Sequence, residues 1–266
     1  KGGSSAITAV AAGGDGKLAV AAAQDGSVRL WKLETPEPAD LERAVEETAG
    51  PVLLSPSGKL LATTSQKDGQ PAVIIRSVET GRVLHTLAGH TGSVLALQFT
   101  NDETKLATAG SDRIVRLWNL QAQPAAELSR VAELPANPTA VSPSNDGSQL
   151  IIGLENGQLR LVNSADGALQ KEFMGHTAAL LHTAFLNGQI FSLSRDASAR
   201  FWNPADGAQV RTFSLPAPPT AAALSSDAQR LLVACADQQA RLLQMVSLGY
   251  THGSATAAAD LIRSFQ

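Results

Sequence analysis

The chain has 266 residues, of which 44% are apolar and 17% charged, with a formal net charge of −3. Low charge with ordinary hydrophobicity excludes a disordered chain, and the slightly acidic balance offers no global basic field to nucleic acid or an anionic membrane. The single cysteine, Cys235, excludes an internal disulfide and a cysteine-cluster metal site.

From its start, AITAVAAGGDGKLAVAAA (6–23) has the small-residue look of a secretory signal, but Asp15 and Lys17 break its apolar run. It reads instead as two short strands around the turn GGDGK. A turn at Asp25-Gly26 leads to a third strand, VRLWKLE (28–34), and LERAV supplies a fourth. That last stretch lies in an acidic segment, where Glu34, Glu37, Asp40, Glu42, Glu46 and Glu47 face only Arg43. It is a solvated rim, or an acidic side patch for a basic partner.

The same order returns five times. The second unit runs SPSGK, KLLATTS, Asp68, VIIRSVE and LHTLA, and the third SVLALQF, TNDETK, KLATAG, Asp112, VRLWNLQ and LSRVA. The fourth runs SNDGSQ, QLIIGL, Asn156, LRLVNSA and QKEFM, and the fifth ALLHTAF, LNGQ, QIFSLS, Asp196, ARFWNPA and VRTFS. The sixth runs SSDAQ, RLLVACA, Asp237 and ARLLQMV, then a long loop (247–259) and IRSFQ. AADLIRSFQ could be a terminal helix, but its match to AAELSRVAE and ADLERAVEE predicts a strand.

Columns confirm the repeat. The fourth residue of each central strand is Trp31, Arg76, Trp118, Val162, Trp202 and Leu243, spaced 40 to 45 residues apart. Asp25, Asp112, Asn156, Asp196 and Asp237 stand six residues before it; the second unit has Asp68 eight before, with an insertion around Gln70-Pro71. Asp and Asn favour tight turns because they bond their own backbone. A basic column, Arg43, His85, Arg130, Lys171, Arg211 and Arg263, marks the fourth strands and reads as protection of an exposed sheet edge. Four short strands cannot bury both faces alone, but stacked units can, and twisted sheets stacked about an axis close into a propeller. The fold expected is all-β, a β-propeller of six visible four-stranded antiparallel blades at about 6–49, 50–90, 91–134, 135–176, 177–216 and 217–266, in one domain. A seventh blade outside this chain is an alternative to closure by six, and weak closure between the first and sixth units is expected.

At this point the chain resembles the WD-repeat β-propeller family over essentially its full length. Gly89-His90 precedes the unit of Asp112 and Trp118; Gly175-His176 precedes that of Ser194, Asp196 and Trp202. The resemblance implies a buried chain from indole N–H to Ser hydroxyl, Ser to His and His to Asp, complete in the fifth unit (Trp202, Ser194, His176, Asp196). In the third (Trp118, His90, Asp112) it would be interrupted, because Gly110 stands where Ser is expected. The family's Asp after Trp is absent: Lys32, Asn119 and Asn203 take its place.

A Ser, a His and an Asp invite a hydrolase reading, but Ser194 lies inside a predicted strand and no G-x-S-x-G elbow exists. No His pair has metal-ligand spacing, so no metal and no cofactor is expected. His182 reads as a satisfied core or channel residue and Cys235 as a small buried hydrophobe. Arg29, Arg116, Arg160, Arg200 and Arg241 could form a phosphate track; the resemblance supplies a structural role instead, and nucleic acid is not the expected partner.

The expected function is a non-catalytic scaffold binding another protein or peptide, without membrane insertion. Candidate contacts are Gln24, Lys67, Ser111, Glu155 and Arg195, just before the turn column, with Ala236 in the sixth unit. The alternatives are a purely architectural module of a larger protein and a hydrolase with a central-channel site. The chain starts at Lys1, as a processed or excised piece would. The lack of an address signal favours the cytoplasm, and alanine richness with few aromatics suggests a bacterial origin.

Overall fold

The computed structural model describes residues 6–12, 17–32, 50–66, 69–131, 133–225, 229–245 and 261–265. Among them the chain forms six antiparallel sheets and no α-helix. The first blade shows three strands, Ile7–Ala12, Leu18–Ala23 and Val28–Lys32. The outer strand expected at Arg43 and the acidic segment around it lie outside the described residues. The other blades have four strands each. The second is Val52–Leu54, Leu60–Ser65, Ala72–Ser77 and Val83–Ala88, and the third Val94–Phe99, Lys105–Gly110, Val115–Asn119 and Ala126–Val131. The fourth is Pro138–Pro143, Gln149–Leu154, Leu159–Asn163 and Leu169–Phe173, and the fifth Leu180–Leu186, Gln189–Ser194, Ser198–Trp202 and Gln209–Ser214. The sixth is Pro219–Leu224, Arg230–Cys235, Ala240–Gln244 and Leu261–Phe265. The last segment pairs in register, Ala240 with Phe265, so it is a strand and not a helix.

Strands pair in the order of the sequence, which makes each blade a meander. The first strands of successive blades lie against one another, so they line the hub of a β-propeller. The turn column owes its residue type to one bond. The side-chain oxygens of Asp25, Asp112, Asn156, Asp196 and Asp237 each accept the N–H two residues on, at 2.9 to 3.2 Å. The outer strand pairs with a one-residue register shift beside Arg76, Trp118, Val162, Trp202 and Leu243. A bulge repeated at one column increases the twist of these five blades.

The core lies between blades. Trp118 packs with Ala62, Val73, Ile75 and Leu87 of the second blade, and Trp202 with Ile151, Leu159, Leu161 and Phe173 of the fourth. Each tryptophan therefore faces the preceding blade. Cys235 is buried with Leu231 and Val233 against Phe191 and Phe201, as a small hydrophobe.

Candidate functional site

The fifth blade holds a continuous polar chain, but its hydroxyl is Ser192 and not Ser194. Trp202 Nε1 donates to Ser192 Oγ at 2.8 Å, Ser192 Oγ lies 2.8 Å from His176 Nε2, and His176 Nδ1 lies 2.8 Å from Asp196 Oδ2. Ser194 instead donates to the Ala178 carbonyl at 2.8 Å and accepts the Asp196 N–H, bracing the turn. The third blade corrects the sequence reading as well. Its chain is unbroken, with Thr108 as the hydroxyl: Trp118 Nε1 at 3.0 Å, His90 Nε2 at 2.8 Å, and Asp112 Oδ2 at 3.0 Å from His90 Nδ1. Gly110 is not a lost serine. A Cβ there would strike His90 Nδ1 and stand 2.6 Å from Asp112 Oδ1. A sequence signal for the true hydroxyls exists: Thr108 and Ser192 both lie ten residues before their tryptophans.

The glycines before the histidines have a physical reason. Gly89 and Gly175 adopt φ of 149° and 148°, where L side chains are strained, and a Cβ would press on Arg116 Nε at 3.3 Å in the first and strike Arg200 Nη1 in the second. Burial holds His90 and His176 below the ordinary imidazole pKa, against the pull of Asp112 and Asp196, so both rings stay neutral near pH 7. Burial works to raise Asp196, yet hydrogen bonds from Ser198, His176 and the Thr177 N–H outweigh it and the carboxyl stays ionised. In the fifth blade the consistent arrangement is indole N–H to Ser192, Ser192 O–H to Nε2, and Nδ1–H to carboxylate. Ser192 has no exposed surface, so no substrate reaches its hydroxyl.

Three members of the arginine column are held by acids or carbonyls. Arg116 is buried, with Nε 3.0 Å from Glu127, Nη1 3.2 Å from Asp112 and Nη2 2.7 Å from the Gly89 carbonyl. Arg160 pairs with Glu172 and Arg241 with Asp237. In the outer basic column Arg130 is exposed beside Glu127, but His85 is buried, so at that position the column is not edge charge. His182 is not satisfied either. Its Nε2 is buried without a hydrogen-bond partner, its ring tilts against Phe191 at 6.5 Å, and burial lowers its pKa to about 4. Among the described residues no group of three His, Cys, Asp or Glu could hold a metal, and no helix is long and apolar enough to cross a membrane.

The candidate contact residues share one face. The backbone N–H of Gln24, Ser111, Glu155, Arg195 and Ala236 donates to the carbonyl of Ala6, Ser93, Asn137, Ala179 and Pro218, all at 2.8 to 2.9 Å. Each bond ties a hairpin turn to the loop entering the hub strand of its own blade. All five side chains are exposed, and Asn137 Nδ2 reaches Glu155 Oε2 at 3.1 Å. Lys67 lies outside the described residues.

Comparison with known proteins follows the same lines. The family described as "WD domain, G-beta repeat" matches residues 1–32 and 81–119. Apoptotic protease-activating factor 1 of Rattus norvegicus is 26% identical over 211 residues, covering 75% of this chain and 16% of that protein. Autophagy-related protein 16 of Arabidopsis thaliana is 27% identical over 162 residues, covering 59% of this chain and 30% of that protein. The serine-threonine kinase receptor-associated protein of Mus musculus is 29% identical over 163 residues, covering 60% of this chain and 45% of that protein. The chain thus spans less than half the length of these relatives. They are eukaryotic, so the bacterial origin suggested by composition has no support. A six-fold sheet repeat, a tryptophan held through a hydroxyl to histidine and aspartate in two blades, and these matches converge on one likeness: the chain is similar to the WD-repeat β-propeller family.

Proposed function

We propose that the chain is a non-catalytic scaffold that binds another protein or a peptide on the face built from its Asp/Asn turns. The observation that carries this reading is the tie repeated in five blades, which holds exposed side chains in register above a hydrogen-bonded backbone. Loops fixed on a rigid scaffold are where recognition concentrates. Glu155 and Arg195 give this face both signs of charge, which suits a mixed-charge polypeptide better than a polyanion. Of the arginines that could have served nucleic acid, Arg116, Arg160 and Arg241 are turned to carboxylates of their own blades. The mouse relative's name describes it as associated with a receptor kinase, which is association with a protein.

A hydrolase reading finds no support in the Ser-His-Asp set, because its serine is sealed beneath Trp202. The acidic segment of residues 34–47 remains a second candidate contact, for a basic partner.

The test is affinity capture from source lysate, then a binding titration with Glu155→Arg, Arg195→Glu and the double variant. We expect thermal unfolding to hold and partner affinity to fall about tenfold or more, as for charges at an interface. Unchanged affinity for every variant rejects this face.

A further inference from the structure

The two-residue turn Asn187-Gly188 joins the first and second strands of the fifth blade, with Leu186 paired to Gln189 across it. It differs from its counterparts. In the second, third, fourth and sixth blades a hydroxyl closes the same turn. Ser55, Thr100, Ser144 and Ser225 accept the N–H of Leu60, Lys105, Gln149 and Arg230, at 2.9 to 3.1 Å. In the fifth blade Leu186 stands at that place and offers no hydroxyl. Asn187 and Gly188 carry φ of 49° and 75°, the paired left-handed residues of a type I′ hairpin. Both are exposed, and the space beside the Gly188 Cα is open. Neither the Asn187 side-chain amide nor the Gly188 N–H has a hydrogen-bond partner among the described residues.

The chain has one other Asn-Gly pair, Asn156-Gly157, in the turn column. There every group is engaged. Asn156 Oδ1 accepts the Gln158 N–H at 3.1 Å, and Asn156 Nδ2 donates to Gln158 Oε1 at 3.1 Å. The Gly157 N–H donates to the Leu154 carbonyl at 3.2 Å. Gly157 is buried, with the His176 carbonyl 2.6 Å from where a Cβ would stand.

Asparagine before glycine has an intramolecular route to hydrolysis, because no side chain on the second residue obstructs its nitrogen. At residues 187 and 188 the Gly188 nitrogen bonds to Asn187 Cγ and gives up its proton, the Cγ–Nδ2 bond breaks, and ammonia leaves. Water then opens the cyclic imide at either carbonyl. One opening leaves aspartate, and the other leaves isoaspartate, with the main chain running through the side-chain carbon. The attack needs a nitrogen without a hydrogen bond and an amide free to turn toward it. Asn187-Gly188 has both and Asn156-Gly157 has neither. We infer that Asn187 is a self-modification site, where the folded chain deamidates through a succinimide with water as the only co-reactant, while Asn156 is protected by its turn. The new carboxylate makes the formal charge one unit more negative than −3. It arises at the end of the strand Gln189–Ser194 away from Arg195, and so off the face of the Asp/Asn turns. The isoaspartyl product also lengthens a two-residue loop that sets the register of the hairpin.

The experiment holds the folded 266-residue chain in mildly alkaline buffer below its unfolding temperature, then digests it with trypsin for mass spectrometry. The two pairs fall in different peptides, 172–195 and 131–160. Asn187 should convert to aspartate and isoaspartate about tenfold faster than Asn156 or more, as when one or two hydrogen bonds must break before reaction. An acidic band should grow on isoelectric focusing, at the position that Asn187→Asp occupies from the start. In urea the two pairs should react at similar rates. The inference is overturned if Asn156 reacts as fast as Asn187 in the folded chain. It is equally overturned if Asn187 persists in the folded chain while it reacts in urea.

Discussion

Trp202 Nε1 stands 2.8 Å from Ser192 Oγ, and the same oxygen stands 2.8 Å from His176 Nε2, so one hydroxyl satisfies two buried nitrogens on two different segments. Removing it strands both. We expect Ser192→Ala to cost about 1–3 kcal/mol for each buried group left unpaired, with Ser192→Thr recovering most of it. Ser194→Ala should cost less, because its partners, the Ala178 carbonyl and the Asp196 N–H, are only partly buried. His176→Ala should resemble Ser192→Ala. Urea midpoints of the four variants decide the order, and equal losses for Ser192→Ala and Ser194→Ala would refute it.

The sequence pattern points to the wrong serine for a reason that belongs to strands. Ser192 and Ser194 are two residues apart, so they point to the same face and share the same alternation signal. Only the depth of each in the blade separates them, and depth follows from where the indole of the neighbouring strand ends. Thr108 is hidden in the sequence for a related reason: a hydroxyl on a β-branched residue looks like an ordinary strand former. The turn aspartates were legible because their bond reaches only two residues along the chain. The period of the repeat was legible because every blade must reproduce the same inter-blade face. Half-burial of Trp31 was not legible, since burial depends on what lies opposite and not on the column the residue occupies.

Gly110 belongs to the third-blade network by leaving room for it. A Cβ at this position would fall 2.6 Å from Asp112 Oδ1 and on the His90 ring nitrogen. Gly110→Ser, which would build the residue the sequence pattern suggests, should therefore destabilise rather than complete the chain. Overpacking of a dense interior costs about 1–3 kcal/mol. A guanidinium melt showing Gly110→Ser at or above the parent midpoint would contradict the geometry.

Arg116 joins three segments through a planar fork that an ammonium cannot imitate. Its Nε reaches Glu127 at 3.0 Å, Nη1 reaches Asp112 at 3.2 Å, and Nη2 reaches the Gly89 carbonyl at 2.7 Å. Arg116→Lys keeps the charge and loses most of these bonds, so it should not be conservative. Arg116→Met should cost more, because Asp112 then keeps a buried charge without this partner. Breaking a fully buried pair costs about 3–5 kcal/mol, and partial exposure of Glu127 places the loss toward the lower end. The expected ranking by thermal unfolding is parent, then Arg116→Lys, then Arg116→Met, with Arg160→Lys, at a more exposed pair, changing little.

His182 should make stability depend on pH between the values at which its free and buried forms titrate. Burial lowers its pKa from 6.5 to about 4, and its Nε2 has no hydrogen-bond partner to hold a proton. In the unfolded chain the imidazole takes up a proton as the pH falls through 6.5, while in the folded chain it stays neutral until about 4. The unfolded state therefore binds more protons across that window, and stability falls as the pH falls. Full separation of the two titrations corresponds to about 3 kcal/mol, present above pH 6.5 and lost toward pH 4. His90 and His176 are shifted in the same direction by burial, so they add to the same limb. His182→Leu removes one titrating group without introducing a charge and frees a buried nitrogen from its unmet bond. Unfolding free energies measured at steps from pH 7 to pH 4 should show a shallower acid decline in His182→Leu than in the parent. Parallel curves would mean that this ring is protonated or solvated in the folded chain, contrary to its burial.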